Sequence, residues 1–202
     1  MIPAPSPEEL EKYRQDIVFS ETLCRQQLTF HTTWGLFSPR EIDEGSRLLL
    51  DYLQAQLGQT QVSKCLDVGC GYGALGLTLA SSYPESHVTM VDKDFVAINY
   101  CRKNASLNGL TNTDIFLSNG LNQINSDDFD LILTNLPAKS GKELYTLMFC
   151  DIHLKLRRGG CCYIVTINGL RQFVKRNFND IFGNYKKLKQ GKVYTVAMAT
   201  KE

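Results

Sequence analysis

The chain has no run approaching the roughly 18 consecutive apolar residues that a membrane-spanning helix needs. Its opening stretch, MIPAPSPEEL, lacks both the basic and the apolar segment of a secretory leader. The expected compartment is therefore the cytoplasm. No C-x-x-C pair occurs either: Cys24, Cys65, Cys70, Cys101, Cys150, Cys161 and Cys162 are odd in number and scattered, which fits neither a disulfide framework nor a zinc knuckle. They read as reduced, mostly buried thiols, and no metal is expected. The vicinal Cys161–Cys162 pair opens an apolar strand-like run, which favours core packing over a bridge or a soft-metal site. Internal repeats and low-complexity tracts are absent as well, and the six prolines and fifteen glycines fall between periodic segments. Net charge is nearly missing too: 22 Lys+Arg against 21 Asp+Glu leave +1.

That small balance conceals a segregation. Residues 1–138 hold nine cationic and seventeen anionic residues, a balance of −8, whereas residues 139–192 hold twelve and three, a balance of +9. With 202 residues and 43% hydrophobic content, the chain reads as one domain over 1–202, with a preface over 1–60 and a core over 61–202.

In the preface, Ser6-Pro7-Glu8-Glu9 and Ser38-Pro39-Arg40-Glu41 each place a serine before a proline and a glutamate three residues on. This is a capping box, so helices are expected to start near Pro7 and Pro39. The run from Leu23 to Trp34 suits one or two short strands. From Lys64 onward, short apolar runs alternate with helical patterns, the mark of a parallel sheet flanked by helices. Strands are expected over 64–68, 87–92, 112–118, 129–134, 161–167 and 192–199. A helix from Asp94 to Asn108 is bounded by an aspartate cap and by Gly109, and Lys-Leu-Arg-Arg-Gly-Gly (155–160) is expected to close another helix in the same manner. A strand over 184–189 is separated from the last only by Gln190-Gly191, so those two must pair antiparallel.

Cys65-Leu66-Asp67-Val68-Gly69-Cys70-Gly71-Tyr72-Gly73-Ala74-Leu75-Gly76 passes from a strand through a glycine turn into a helix. Such a turn brings backbone N–H groups close to a ligand at a helix N-terminus. Gly71, Gly73 and Gly76 satisfy G-x-G-x-x-G, so a nicotinamide dinucleotide is a competitor, and Asp92 at the end of the next strand suits a ribose in either case. Asp67 discriminates. A carboxylate at the strand end repels pyrophosphate but accommodates an ammonium group, such as that of S-adenosylmethionine. The third strand ends in Ser118-Asn119-Gly120, where Asn119-Gly120 by itself reads as a common turn dipeptide. The fourth ends in Asn135-Leu136-Pro137-Ala138.

The D-x-G-x-G-x-G pattern with Asp92 and the terminal hairpin resembles class I S-adenosylmethionine-dependent methyltransferases. Those that modify exocyclic amines often carry Asn-Pro-Pro-aromatic after the fourth strand; here Asn135 and Pro137 match, while Leu136 replaces the first proline and Ala138 the aromatic. Tyr145, Phe149, Trp34 and Phe37 are the candidates for a ring supplied from elsewhere. More specifically, from about Trp34 to Thr200 the chain resembles the catalytic domain of the small-subunit ribosomal RNA guanine methyltransferases, in the methyltransferase small-domain group. The resemblance rests on Gly35-Leu36-Phe37-Ser38, on Asp43-Glu44-Gly45-Ser46 with Leu49-Leu50, on Leu66 to Gly73, on Ser118-Asn119 and on Lys192-Val193-Tyr194. It implies a Rossmann-like seven-stranded α/β sheet, mostly parallel with an antiparallel C-terminal hairpin and helices on both faces. It further implies S-adenosylmethionine as donor, with Asp67, Gly69, Gly71, Gly73, Asp92, Asn119 and Phe37 on the donor side. Asn135, Leu136 and Pro137 would then form the catalytic loop. Ribosomal RNA is the implied partner, and no membrane is expected.

The +9 stretch starts just beyond that loop. Lys139 and Lys142 flank it and are the expected phosphate contacts, while Arg157 and Arg158 read as complements of a helix C-terminus, and Arg171, Lys175 and Arg176 as the polar side of a helix. Two other readings stay open at this point: a methyltransferase of the same fold acting on a small molecule or protein, and a donor- or RNA-binding module without catalysis.

Overall fold

The computed structural model describes residues 4–57 and 62–202, so the expected boundary between preface and core lies outside the described residues. Helix α1 (Pro7–Arg14) starts as its sequence requires: the Ser6 hydroxyl accepts from Glu9 N–H and the Glu9 carboxylate accepts from Ser6 N–H. The second expected start, at Pro39, is not a helix. Ser38 has φ of 47° and its hydroxyl donates to the Glu41 carbonyl, while the Tyr72 hydroxyl donates to the carbonyls of both Ser38 and Glu41. Those carbonyls serve a turn tied to a distant tyrosine rather than a helical ladder. The helix α2 (Glu44–Leu57) begins later, capped by Asp43, whose Oδ1 accepts from Gly45 N at 3.0 Å and Ser46 N at 3.1 Å.

Two strands, β1 (Ile17–Leu23) and β2 (Gln26–Thr32), form an antiparallel hairpin, of which the sequence pattern captured only β2. Its turn, Cys24-Arg25, has both residues at positive φ, 49° and 67°, as a two-residue loop between twisted strands requires. The β2 edge is closed by side chains of helix α4 (Phe95–Leu107) and its cap. Asn104 accepts from His31 N at 2.8 Å and donates to His31 O and Tyr72 O, each at 3.0 Å. Asn108 accepts from Thr29 N at 2.9 Å and donates to Thr29 O at 2.8 Å. Two amides four residues apart thus satisfy strand groups that would otherwise be orphaned beneath the hairpin.

From Lys64 the elements alternate as expected: β3 (Lys64–Val68), α3 (Ala74–Ser82), β4 (His87–Asp92), α4, β5 (Thr113–Leu117), β6 (Phe129–Asn135), α5 (Lys142–Lys155), β7 (Leu156–Ile167), α6 (Arg171–Phe182), β8 (Lys186–Gln190) and β9 (Tyr194–Thr200). The sheet order is β5-β4-β3-β6-β7-β9-β8, with β9 antiparallel to both neighbours and the other pairs parallel. Alternate strand residues face two cores: Cys65, Leu131, Leu133 and Val165 meet Leu53, Leu77 and Ile98 on one side, whereas Leu66, Ile132 and Ile164 meet Phe149, Ile152 and Phe178 on the other. The open end of the sheet, where β3, β4 and β6 finish, is left for the loops.

Two expectations fail at the sheet's far side. Helix α5 ends at Lys155, and residues 156–160 enter β7 instead of capping the helix; Leu156 pairs with Phe129 and the Arg157 Nε donates to Asp130 Oδ1. An added Cβ on Gly160 would lie 2.7 Å from the Phe129 carbonyl oxygen. Gly160 therefore permits close strand passage, Gly159 supplies a positive φ of 75°, and Arg157 neutralises a strand carboxylate. The last strand begins at Tyr194 rather than 192, because Gly191 N donates to Tyr194 O at 2.8 Å and closes a longer turn. All seven cysteines are free thiols, Cys162 buried and Cys161 partly exposed on opposite sides of β7.

Candidate active site

β3 delivers Asp67 and Val68 to the glycine turn. Gly69 and Gly71 have φ of 74° and 56°, and a Cβ added to either meets nothing within 4 Å; the open space of the turn lies over these two residues. Gly73 and Gly76 have a packing reason instead. A Cβ on Gly73 would lie 2.5 Å from Leu77, and one on Gly76 would lie 2.4 Å from Met90 Sδ, so both let α3 settle against its surroundings. The turn's amides are mostly spent internally: Gly69 N and Cys70 N donate to Val91 O at 2.8 and 3.0 Å, Gly71 N to Asp92 Oδ2 at 2.9 Å, and Gly76 N to Asp67 Oδ2 at 2.8 Å. This differs from the sequence reading, in which those N–H groups face a ligand. A pyrophosphate here would find those amides taken and two carboxylates close by, which removes the attraction of the dinucleotide alternative.

Asp67 is 1% exposed, and its Oδ1 has no hydrogen-bond partner. Burial, and then the charge of Asp92, push its carboxyl up to about 7, with the Gly76 amide pulling the other way. Its Oδ2 accepts from Gly76 N in the first turn of α3, and its Oδ1 is a buried acceptor without a partner. An orphaned buried carboxylate oxygen is a place for positive charge, so this loop fits a donor that carries ammonium and sulfonium groups. Asp92 ends β4 with Oδ1 on Asp94 N at 2.9 Å and Oδ2 on Gly71 N; each oxygen keeps a lone pair for a hydroxyl. Asn119 does form a turn: its N–H donates to Gln123 Oε1 at 3.0 Å, its carbonyl accepts from Asn122 N at 3.3 Å, and Gly120 has φ of 59°. Its exposed side-chain amide has no partner among the described residues. Phe37 is 68% exposed, directly before the Ser38 carbonyl that binds Tyr72 of the glycine turn.

One strand over, β6 ends beside β3. Their last paired residues are Asp67 and Leu133, and the Thr134 hydroxyl donates to Val68 O at 2.9 Å, so Gly69 and Asn135 leave the sheet side by side. The Asn135 Nδ2 donates to Asp43 Oδ1 and Ser46 Oγ, each at 3.0 Å, while among the described residues no donor reaches its Oδ1 or the Leu136 carbonyl. Leu136 anchors the loop: its N–H donates to Val165 O at 2.9 Å and its side chain is buried against the α5 side of the sheet. Pro137, Ala138 and Lys139 are exposed. Behind them the Tyr145 hydroxyl donates to the Pro137 carbonyl and accepts from Ser140 N at 2.9 Å. Asp43, Ser46 and Tyr145 were not foreseen at the site in these roles; for the first two, the only signal in the sequence is the Asp-x-Gly-Ser signature.

Of the four candidate rings in place of the missing aromatic, Tyr145 and Phe149 are buried in the core. Trp34 is engaged by the Tyr13 edge at 6.3 Å and the Arg40 guanidinium at 4.6 Å. Phe37 alone among the four is exposed and unstacked. Lys139 and Lys142 are exposed, with no carboxylate partner among the described residues. Elsewhere in the basic stretch Lys155 Nζ donates to Ile124 O at 2.5 Å, whereas Arg171, Lys175 and Lys187 line a shallow groove with Tyr185. Among the described residues no His, Cys, Asp or Glu cluster could hold a metal, and no helix is long and apolar enough to cross a membrane.

The model of the methyltransferase small domain matches residues 27–198. Over 148 residues the chain is 36% identical to the uncharacterized protein YbxB of Bacillus subtilis, covering 73% of this chain and 72% of that one. It is 30% identical over 183 residues to ribosomal RNA large subunit methyltransferase G of Psychromonas ingrahamii, covering 85% of this chain and 45% of that one. Among solved structures, the 16S rRNA N2 methyltransferase RsmC of T. thermophilus, in complex with AdoMet and guanosine, superposes with a TM-score of 0.84 at 29% identity and covers 99% of this chain. The chain spans about half, 52%, of that solved relative's length. With its donor turn, its strand order and this match over most of its length, the chain belongs to the methyltransferase small domain family, a group of S-adenosylmethionine-dependent methyltransferases.

Proposed function

We propose that the chain transfers a methyl group from S-adenosylmethionine to an exocyclic amine of a base in ribosomal RNA, with residues 1–202 acting as one methyltransferase domain. The observation that carries this reading is the pair of unengaged acceptors, Asn135 Oδ1 and the Leu136 carbonyl, at the strand end next to the glycine turn. Two acceptors side by side suit the two protons of an amine and leave its lone pair directed away from them. Bound S-adenosylmethionine supplies an electrophilic methyl group. Asp67 and Asp92 offer it carboxylates, Gly69 and Gly71 the space, Gly73 the packing that shapes the turn, and Asn119 and Phe37 a polar and an apolar wall. Holding the amine in line accounts for most of the expected rate gain, and no strong base is needed, because the amine sheds its proton to water once methylated. Lys139 and Lys142 beside the loop suit flanking phosphates. The curated relatives whose names give an activity, and the RsmC structure, are ribosomal RNA methyltransferases by those names, which supports the same partner here.

A second reading, a methyltransferase of a protein or small molecule, draws on the alanine at position 138, which offers no ring for a base to stack on. Incubation with methyl-labelled S-adenosylmethionine and RNA, protein and metabolite fractions from a strain lacking this chain separates the two. Label in ribosomal RNA, lost in Asn135→Ala by about a hundredfold or more with donor affinity kept within twofold, is the expected result. Label only in protein or metabolites would replace the first reading by the second.

A further inference from the structure

An asparagine side chain has two ends of nearly equal shape and opposite chemistry. Turned one way, Asn135 offers the acceptor amine an oxygen; turned over, it presents two N–H groups to an amine that itself donates. Only the surroundings decide. Asp43 Oδ1 lies 3.0 Å from one end of the Asn135 amide, and a carboxylate oxygen only accepts, so that end must be the NH₂. Ser46 Oγ, also at 3.0 Å and belonging to a buried residue, faces the same nitrogen. Both amide protons are thereby engaged, and the oxygen is left for the substrate.

Asp43 is itself held. Its Oδ1 accepts from Gly45 N and Ser46 N in the first turn of α2, where the helix dipole favours a negative charge. Gly45 has no room for a side chain: an added Cβ would lie 2.9 Å from the Tyr194 ring and 3.0 Å from Asp43 Oδ1. The Asp-x-Gly-Ser spacing thus acquires a physical meaning, with an aspartate that caps the helix and reads the amide, a glycine that clears the way, and a serine that takes the second proton. We propose that Asp43 and Ser46 are positioning residues for methyl transfer, fixing the Asn135 amide with its oxygen toward the acceptor amine. The inference rests on the role assigned to Asn135 above.

The test compares Asp43→Ser, which keeps a capping hydroxyl but is too short to reach Asn135, with Ser46→Ala and with Asp43→Asn, which keeps an oxygen at the same reach. Each is made in the natural chain and in Asn135→Ala, and turnover is measured with labelled S-adenosylmethionine and RNA from a strain lacking the chain. Asp43→Ser is expected to lower kcat by about ten- to a hundredfold, with Ser46→Ala losing less. Donor Kd should stay within about twofold and Asp43→Asn should recover most of the rate. In Asn135→Ala, Asp43→Ser should cost nothing further, since it acts through the missing amide. With ¹⁵N-labelled asparagine, the side-chain signal that disappears in Asn135→Ala should shift in Asp43→Ser and Ser46→Ala. Full turnover in both single variants, an unshifted signal, or an equal loss in the Asn135→Ala background would overturn the proposal and leave Asp43 a helix cap. Unimpaired Asn135→Ala would instead overturn the role of Asn135. Should Asp43→Ser fail to fold, Ser46→Ala reads the same coupling.

Discussion

A carboxyl buried at 1% exposure with one oxygen unpaired should make the stability of the donor-free protein fall as pH rises. Asp67 is held near 7 instead of its ordinary 3.8, first by burial and then by Asp92. Between those two values the folded chain keeps a proton that the unfolded chain has released, so unfolding loses a proton and stability declines with pH across that window. Each decade is worth roughly 1.4 kcal/mol, so the full span amounts to about 4 kcal/mol, present below pH 4 and lost by pH 8. Asp16 works in the opposite sense but lower down: burial raises it, yet bonds from Lys103, His31 and Tyr100 outweigh that and bring it to about 2, so its contribution is all but complete by about pH 5. Urea unfolding at pH 4.5, 6 and 8 at constant ionic strength should show the fall in the natural chain and little of it in Asp67→Asn, which should be the more stable of the two at pH 8. S-adenosylmethionine, being cationic, should bind more tightly as Asp67 ionises and should release a fraction of a proton at pH 7, readable by calorimetry in buffers of different ionisation enthalpy. A stability that is flat or rising from pH 4.5 to 8, or an equal slope in both proteins, would refute the argument.

Asn104→Ala should cost about 2–4 kcal/mol in urea unfolding, because it strands His31 N, His31 O and Tyr72 O beneath the hairpin; a loss below about 1 kcal/mol would mean that water replaces the amide. Replacing Lys139 and Lys142 together by glutamate should weaken binding to ribosomal RNA in filter-binding or anisotropy titrations, and reduce the slope of log affinity against log salt by about 0.7 per lysine. An unchanged slope would place the phosphates elsewhere, the groove of Arg171, Lys175 and Lys187 being the next surface to alter.

The sheet was readable because each core strand is a short apolar run ended by a polar or glycine residue, and those local signals agree with the tertiary arrangement. The disagreements arise where a distant group decides. Ser38-Pro39 carries a helix start, but Tyr72 claims the carbonyls of Ser38 and Glu41. Gly159-Gly160 reads equally as a helix stop and as a strand passing close to a neighbour, and only the Phe129 carbonyl, absent from the local sequence, tells them apart. β1 was missed because its alternation sets partly buried against exposed residues, with Leu23 alone buried. Around the glycine turn, the structure brings the glycines and carboxylates together, yet the division of labour among them was not legible. Open space belongs to Gly69 and Gly71, close packing to Gly73 and Gly76, and Asp67 serves both helix and loop. The partners of Asn135 were out of reach of pattern, since Asp43 lies 92 residues away along the chain.

The loop after β6 departs from the Asn-Pro-Pro-aromatic pattern at Leu136 and Ala138, and the structure supplies a substitute for one of the two losses. A proline at 136 would fix φ; here Leu136 is instead tied by its N–H to Val165 O, a bond that proline could not make, and Pro137 biases it toward extended backbone. The far side of the loop is held by Tyr145, which donates to the Pro137 carbonyl and accepts from Ser140 N. Tyr145→Phe isolates that clamp, since the ring stays packed against Phe173 at 6.0 Å while both bonds vanish. Loss of one or two such bonds should lower stability by only about 1–2 kcal/mol, whereas freeing Pro137 should let the adjoining Leu136 carbonyl wander and reduce kcat by about tenfold or more. Donor affinity should not change, because no part of the glycine turn touches the hydroxyl. Loss of stability with full turnover would show that the loop keeps its shape through Leu136 and Pro137 alone, and would return Tyr145 to the role of a core residue.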